Sequence, residues 1–457
     1  MKSFFKRQSD FVYNIFTLAK GTAFSQILPI IITPFLTRLF TPEEFGILAV
    51  YISIIAILGV ISTWRYELAI VLPKSENDAI QLFWLSTFIA FFFSLFIFMC
   101  LFFFHKHVTS LFNSYIPEYI IFLIPISIFI LGLTQSLMSL FNRYKNYREM
   151  SSIKIVKAST TGGLQIVFGT QDKIYSSSIA NMGLVSGYVL GQLAGLIAAI
   201  KMIMRIFNKL HFHTSTLVPN YRQIKGLAHK YRSLPLLNAP SSILNSASIQ
   251  LTPVLLSIFY SPAITGFFSL SQRILQIPMM FLGSSISQVY FQKANEIQDE
   301  PDLLRKLTKD INKKLLIIGF IPVSIILLIG DHLFAFIFGE EWRIAGIYAQ
   351  YLSIWIYIVF VSSPLSHLMT VLSKQPQLLA FNSLLFLSRI SWIFFATLIF
   401  QDPKIIVLGL GIIGSIIWLI FIFYVLNIAG MTIYEIFTQI LPFICFVLGL
   451  FFIGLYT

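Results

Sequence analysis

Hydrophobic runs of about 20 residues, the length at which an α-helix crosses a bilayer core of roughly 30 Å, follow one another along nearly the whole chain. Short stretches rich in Lys, Arg, Pro, Gly and Asn separate them. These runs predict helices over residues 11–36, 45–70, 80–104, 116–141, 153–170, 178–201, 233–258, 263–291, 314–338, 345–372, 377–400, 404–427 and 434–456, with 153–170 the least apolar. The first run follows the basic stretch MKSFFKRQSD, carries Lys20, Pro29 and Pro34, and shows no small-residue cleavage site. It is expected to be a first transmembrane helix and not a signal peptide.

Composition agrees with that reading. Of 457 residues, 57% are hydrophobic and only 11% charged, and the mean hydropathy of +0.82 is more than a soluble core would hide. The expected class is an all-α polytopic membrane protein. A net charge of +13 does not point to nucleic acid, because the basic residues are dispersed between spans instead of forming one solvated face. Twenty-three of the 32 Lys and Arg fall in alternate inter-helix segments and the helix ends beside them, five in the opposite set, and four inside spans. The positive-inside rule then places the N-terminus in the cytoplasm. Cys100 and Cys445 both lie in apolar runs, and HKH at 105–107 and HFH at 211–213 lack further ligands. No disulfide framework, metal site or cofactor is expected, and no catalytic constellation. A phosphate-cradling GxxxxGK[ST] loop is absent, so the chain is not expected to hydrolyse nucleotide.

The stretch TPFLTRLFTPEEFG at 33–46 recurs. Thr33-Pro34, Leu36, Phe40, Pro42 and Gly46 reappear as Thr252-Pro253, Leu255, Phe259, Pro262 and Gly266 with one residue inserted. An even number of spans separates the two copies, so they share an orientation, the pattern of parallel repeats about an axis along the membrane normal. The expected architecture is two parallel six-helix lobes around a central cavity, with a thirteenth helix after them. Its parts are a lobe over 1–200, a basic cytoplasmic linker over 201–232, a second lobe over 233–428 and an additional helix in 429–457. A polar stripe repeats as well: Thr22, Gln26, Pro29 and Thr33 match Ser241, Asn245, Ser248 and Thr252 at a constant offset of 219. The spacing i, i+4, i+7, i+11 is one helix face. Polar groups avoid lipid, so Thr22, Gln26, Ser241, Asn245 and Ser248 are expected to line the cavity.

Four cations lie within spans: Lys20, Arg65, Arg273 and Arg389. A Lys or Arg at mid-bilayer costs roughly 2.5–3.5 kcal/mol on insertion scales and marks a functional site by default. Arg273 and Arg389 sit near mid-span with no acid in their own helices. A guanidinium clamps phosphate oxygens in a bidentate fork, so these two are expected to bind an anionic substrate, with Lys20 and Arg65 assisting towards the cytoplasmic side. Glu67, two residues from Arg65, is an acid in the inner half of a span and the candidate for ion coupling, although i and i+2 face differently on a helix. The alternative reading of Glu67 is a salt bridge that holds its helix in place. Gly183, Gly187, Gly191 and Gly195 form a small-residue ridge for close helix packing.

Four stretches carry a resemblance: TPFLTRLFTPEEFGILAVY, WRYELAIVLPKSENDA, FGEEWRIAG and the short SKQ turn at 373–375. The chain resembles bacterial O-antigen and polysaccharide-unit flippases of the multidrug/oligosaccharidyl-lipid/polysaccharide exporter superfamily. That resemblance implies translocation of an undecaprenyl-pyrophosphate-linked oligosaccharide from the cytoplasmic to the periplasmic leaflet of the bacterial inner membrane, through a cationic cavity between two lobes. It implies a lipid-linked substrate, membrane lipids and other polysaccharide-assembly membrane proteins as partners. It departs from the usual twelve-helix core at YEIFTQILPFICFVLGLFFIGLY. A multidrug-extrusion antiporter would share the fold, but that branch typically carries ionisable acids in helices 1 and 7. Helix 1 here has none beyond Asp10, and helix 7 none. A membrane-embedded polysaccharide polymerase would need a large outer loop, and the longest here is roughly a dozen residues near His105.

Overall fold

The computed structural model describes residues 24–112, 115–175, 183–209 and 218–456, and among these it is helical with no strand. Packing divides the chain into two compact units, 1–262 and 263–457.

The first unit begins with α1 (Phe24–Leu36) and α2 (Pro42–Gly59), which opens on a capping box. Thr41 Oγ1 accepts from the Glu44 amide at 3.4 Å, and Glu44 Oε2 accepts from the Thr41 amide at 2.8 Å. Pro42 supplies the preset φ of a first helical position. The expected helix over 45–70 is corrected here: it stops at Gly59 and passes through Trp64 and Arg65 at left-handed φ of 49° and 65°. A short 3₁₀ segment, Tyr66–Val71, follows. Hydropathy could not reveal this break because the residues on both sides of it are apolar. Then come α3 (Glu76–Leu111), α4 (Glu118–Arg143), α5 (Tyr147–Tyr175), α6 (Gly183–Lys209) and a ten-residue helix α7 (Tyr221–Lys230). The 36 residues of α3 make a rod of about 54 Å at 1.5 Å per residue, longer than the bilayer core.

The glycine ridge of α6 does what its spacing implied. A Cβ at Gly191 would overlap Thr161, and one at Gly187 would come within 2.7 Å of the Gln165 side chain, so α5 and α6 lie in backbone-close contact. The basic α7 buries Ile224 and Leu227 and is anchored by polar bonds: Gln223 Nε2 donates to Asp78 at 2.6 Å, and Gln81 Oε1 accepts from the Asn220 amide at 2.7 Å. A π-helical turn, Leu234–Asn238, leads into α8 (Ala239–Phe259), which packs along α2.

The second unit starts with α9 (Pro262–Leu275), then a π-turn at Met279–Gly283 and α10 (Ser284–Glu296). The single helix expected over 263–291 is therefore interrupted, by a turn at Gln276 and the π-turn at Met279–Gly283. After it come α11 (Pro301–Phe338), α12 (Arg343–Leu365), a one-turn α13 (Leu368–Val371), α14 (Gln375–Ile399), α15 (Pro403–Ile428) and α16 (Ile433–Tyr456). Its core joins Leu315, Tyr357, Phe421 and Val425 with Ile436, Ile440 and Val447 of α16, so the thirteenth helix is part of the core of this unit.

Ten of the helices among the described residues are long and apolar enough to cross a membrane. The remaining expected spans coincide with α1, with α5 and with the interrupted α9–α10. The repeated turn also repeats structurally: Pro42 and Pro262 each begin a helix just after an apolar helix ends at Leu36 or Phe259. A Cβ on Gly46 would overlap the Pro262 carbonyl oxygen. The glycine of the first copy thus lies against the proline of the second.

Candidate functional site

The break after α2 brings Arg65 and Glu67 together. In a regular helix residues two apart diverge, but the left-handed turn at Arg65 folds its side chain back, and Arg65 Nη1 lies 3.4 Å from Glu67 Oε1. Glu67 is buried at 3% exposure and also accepts from the Thr63 hydroxyl. Arg65 Nε donates to Asn238 Oδ1 at 3.0 Å, tying the break to the π-turn before α8. The carboxylate is therefore held by a cation and a hydroxyl in a pocket that a regular helix would not form.

The loop after the 3₁₀ segment is clamped by Arg143, at the end of α4. Its Nη1 donates to the carbonyls of Pro73 at 2.6 Å and Ile70 at 3.2 Å, and its Nη2 to Ser75 at 3.3 Å and Glu76 Oε1 at 3.4 Å. Tyr144 donates to Glu76 Oε2 at 2.8 Å. Burial and the adjacent carboxylate push the Tyr144 phenol above its ordinary pKa, so it stays a donor. WRYELAIVLPKSENDA is thus a built turn, and Arg143, 70 residues from Pro73, is the part sequence reading missed.

Arg273 and Arg389 both belong to the second unit. Arg273 sits in the last turn of α9, half-buried, and makes no hydrogen bond or ion pair with another described residue. Arg389, midway along α14, lies with its guanidinium carbon 4.8 Å from the centre of the Trp355 ring of α12. This cation–π contact, worth on the order of 1–2 kcal/mol when desolvated, is a partner the sequence did not disclose. It leaves the guanidinium edge, where oxygens bind, to other contacts.

The polar stripe divides. Thr33 and Thr252 are buried, and the Thr33 hydroxyl donates to the Pro29 carbonyl at 2.6 Å. Gln26, Ser241 and Asn245 are exposed, and Ser248 is half-buried. Lys20 and Thr22 lie outside the described residues. FGEEWRIAG is a built corner between α11 and α12: Trp342 is fully buried, Gly339 turns at φ 110°, and Arg343 binds Asp331 at 3.1 Å and Glu340 at 2.7 Å. Among the described residues no cluster of His, Cys, Asp or Glu could hold a metal ion.

A family model described as "Polysaccharide biosynthesis protein" matches residues 35–345. Among solved structures, the chain is similar to "Lipid II flippase MurJ, inward closed conformation", with a TM-score of 0.72 at 14% identity over 96% of each chain. It is also similar to an inward-facing "multidrug resistance MATE family transporter of the MOP superfamily", with a TM-score of 0.56 at 14% identity over 91% of this chain and 94% of that one. A point mutant of the Vibrio cholerae MATE transporter VcmN matches with a TM-score of 0.55 at 15% identity, over 96% of this chain and all of that one. Among curated proteins none matches. At these identities the likeness is one of fold: the all-helical membrane transporter fold shared by these proteins.

Proposed function

The chain belongs to the polysaccharide biosynthesis protein family, and from that premise we propose that it is a flippase. Its proposed cargo is an undecaprenyl-pyrophosphate-linked oligosaccharide, an O-antigen or related polysaccharide repeat unit, carried from the cytoplasmic to the periplasmic leaflet of the inner membrane with the N-terminus inside. The observation that carries this reading is the Arg273 guanidinium, inside a span and without an acid among the described residues to neutralise it. Such a charge is costly in a bilayer unless an anion meets it, and a diphosphate offers the matching oxygens. Arg389, with one face on Trp355, is the second arginine of the proposed site. Lys20 and Arg65 act towards the cytoplasmic side, and Thr22, Gln26, Ser241, Asn245 and Ser248 line the path. Glu67 is the candidate for ion coupling. The lobes are residues 1–200 and 233–428, joined by the basic segment 201–232. A MATE-like drug antiporter is disfavoured by the absence of acids in the spans 24–36 and 239–259.

Reconstituted liposomes carrying fluorescent lipid-linked oligosaccharide test the proposal. Wild type is expected to move the lipid between leaflets, Arg273→Ala and Arg389→Ala to lose at least tenfold in rate, and Arg273→Lys to retain part of it, because Lys keeps the charge without the fork. Normal transport by both Ala variants would remove the arginines from substrate binding, and no transport by any form would overturn the flippase reading.

A further inference from the structure

Helix α7 is basic yet lies outside the proposed transport path. Its inner face docks it on the first unit: Leu227 joins Ala69 and Ile70 of the 3₁₀ segment and Ala79 and Leu82 of α3 in one core, and Tyr66 donates to the Ala228 carbonyl at 3.0 Å. Its outer face is cationic. Arg222, Gly226 and Lys230 stand at i, i+4 and i+8 with Lys225 beside them at i+3, so they share one side of the helix. All four are exposed, whereas Ile224 and Leu227 are buried. The helix contains no acid, and neither its three cations nor Arg232 of the following turn form an ion pair with a described residue. Lys230 lies 5.3 Å from the ring centre of its neighbour Tyr231. The acids that open α3 are engaged elsewhere: Asp78 accepts from Gln223, and Glu76 from Arg143 and Tyr144.

The depth of α7 follows from its bonds to α3. No Asp, Glu, Lys or Arg occurs between Asp78 and Lys106, so the hydrocarbon of a bilayer begins just past Asp78. Gln81, about one turn further in, donates to the Val218 carbonyl at 3.0 Å and accepts from the Asn220 amide at 2.7 Å. Gln223 bonds both Asn77 and Asp78, and α7 packs beside the opening turns of α3. The helix, about 15 Å long, is therefore level with the lipid headgroups. Val218 and Tyr221, at the end that meets Gln81, are exposed, and tyrosine is enriched at the boundary between hydrocarbon and water. We propose that the outer face of α7, with Arg222, Lys225 and Lys230, is a docking surface for anionic phospholipid headgroups of the adjoining leaflet, separate from the proposed substrate arginines. Each Lys or Arg near an anionic membrane surface favours the contact roughly fivefold. An acidic soluble protein would meet the same charges but leave Val218 and Tyr221 in water, whereas lipid covers both. The inference does not rest on the flippase reading, because a bilayer surrounds the chain whatever it carries.

The test uses the full chain in phosphatidylcholine nanodiscs, with Cys100 and Cys445 replaced by Ala and a bimane fluorophore attached through Gly226→Cys, where an added carbon meets open space. A small fixed fraction of either phosphatidylglycerol or phosphatidylcholine carries a spin label at the top of its acyl chain, and bimane quenching reports which lipid collects beside α7. The phosphatidylglycerol label is expected to quench at least threefold more than the phosphatidylcholine label at low salt, and the excess to shrink as salt screens the charges. Replacing Arg222, Lys225 and Lys230 together by Gln is expected to bring the two labels to parity and to leave the unfolding midpoint in place, since all three side chains are exposed. Equal quenching by both labels in wild type, or an excess that survives the triple substitution, would overturn the proposal. Quenching by aqueous acrylamide with neither lipid label effective would overturn it too, and would assign the face to a soluble acidic partner. Should the triple variant fail to fold, the wild-type salt series decides, because an excess indifferent to salt is not electrostatic and sinks the proposal equally.

Discussion

Arg143→Ala should open the loop between the 3₁₀ segment and α3 without dismantling the fold around it. Its two shortest bonds, to the Pro73 carbonyl at 2.6 Å and the Ile70 carbonyl at 3.2 Å, are charge-assisted, and the arginine side chain is only 9% exposed. Bonds of that kind contribute about 1.5–3 kcal/mol each. The contacts with Glu76 are longer, and its side chain is 51% exposed, so solvent screening leaves them worth under ~1 kcal/mol. Local opening should therefore become easier by about 3–6 kcal/mol, or roughly 10²–10⁴-fold in population. A cysteine placed at Ala69, which is fully buried, reports that opening as its rate of thiol labelling, in a background with Cys100 and Cys445 replaced by Ala. Labelling should rise at least a hundredfold in Arg143→Ala. Arg143→Lys should fall between, because an ammonium reaches one carbonyl but cannot fork across two. A change below threefold in Arg143→Ala would refute the claim that this arginine holds the loop.

Gly46→Ala should lower the unfolding midpoint of the purified protein, because the new methyl overlaps the Pro262 carbonyl and overpacking costs about 1–3 kcal/mol. Gly163→Ala, with nothing within 4 Å of its added carbon, should leave the midpoint unchanged or raise it, and the two midpoints measured side by side check the comparison. Glu435→Gln removes the negative charge that meets Arg305 at 2.6 Å and Lys309 at 2.8 Å and leaves one acceptor oxygen where there were two, and should speed proteolysis in the turn before α16; an unaltered cleavage rate would show that apolar packing alone seats that helix.

The positions of the helices were legible because burial in lipid demands a run of about 20 apolar residues whatever the tertiary contacts are. The break at Gly59 was not, since apolar runs flank Ser62 to Glu67 on both sides and the left-handed backbone at Trp64 and Arg65 is what ends the helix. The Arg65–Glu67 pair was hidden for the same reason: a helical register separates the two, and a left-handed turn joins them. Arg389 could be located from sequence as a cation within a span, but its Trp355 partner lies on another helix, far along the chain.

The docking of α16 imposes an order on assembly. Glu435 meets Arg305 across 130 residues of chain, and at roughly 5–20 residues per second of synthesis α11 waits on the order of ten seconds for that partner. Throughout that interval the side of α11 that will receive Ile436, Ile440 and Val447 faces lipid or whatever insertion factor accompanies the nascent chain. A ribosome stalled between α15 and α16 would therefore leave a membrane intermediate that is threaded through α15 yet unsealed, with Arg305 and Lys309 without their carboxylate. Such an intermediate is the form in which quality-control proteases would meet this protein.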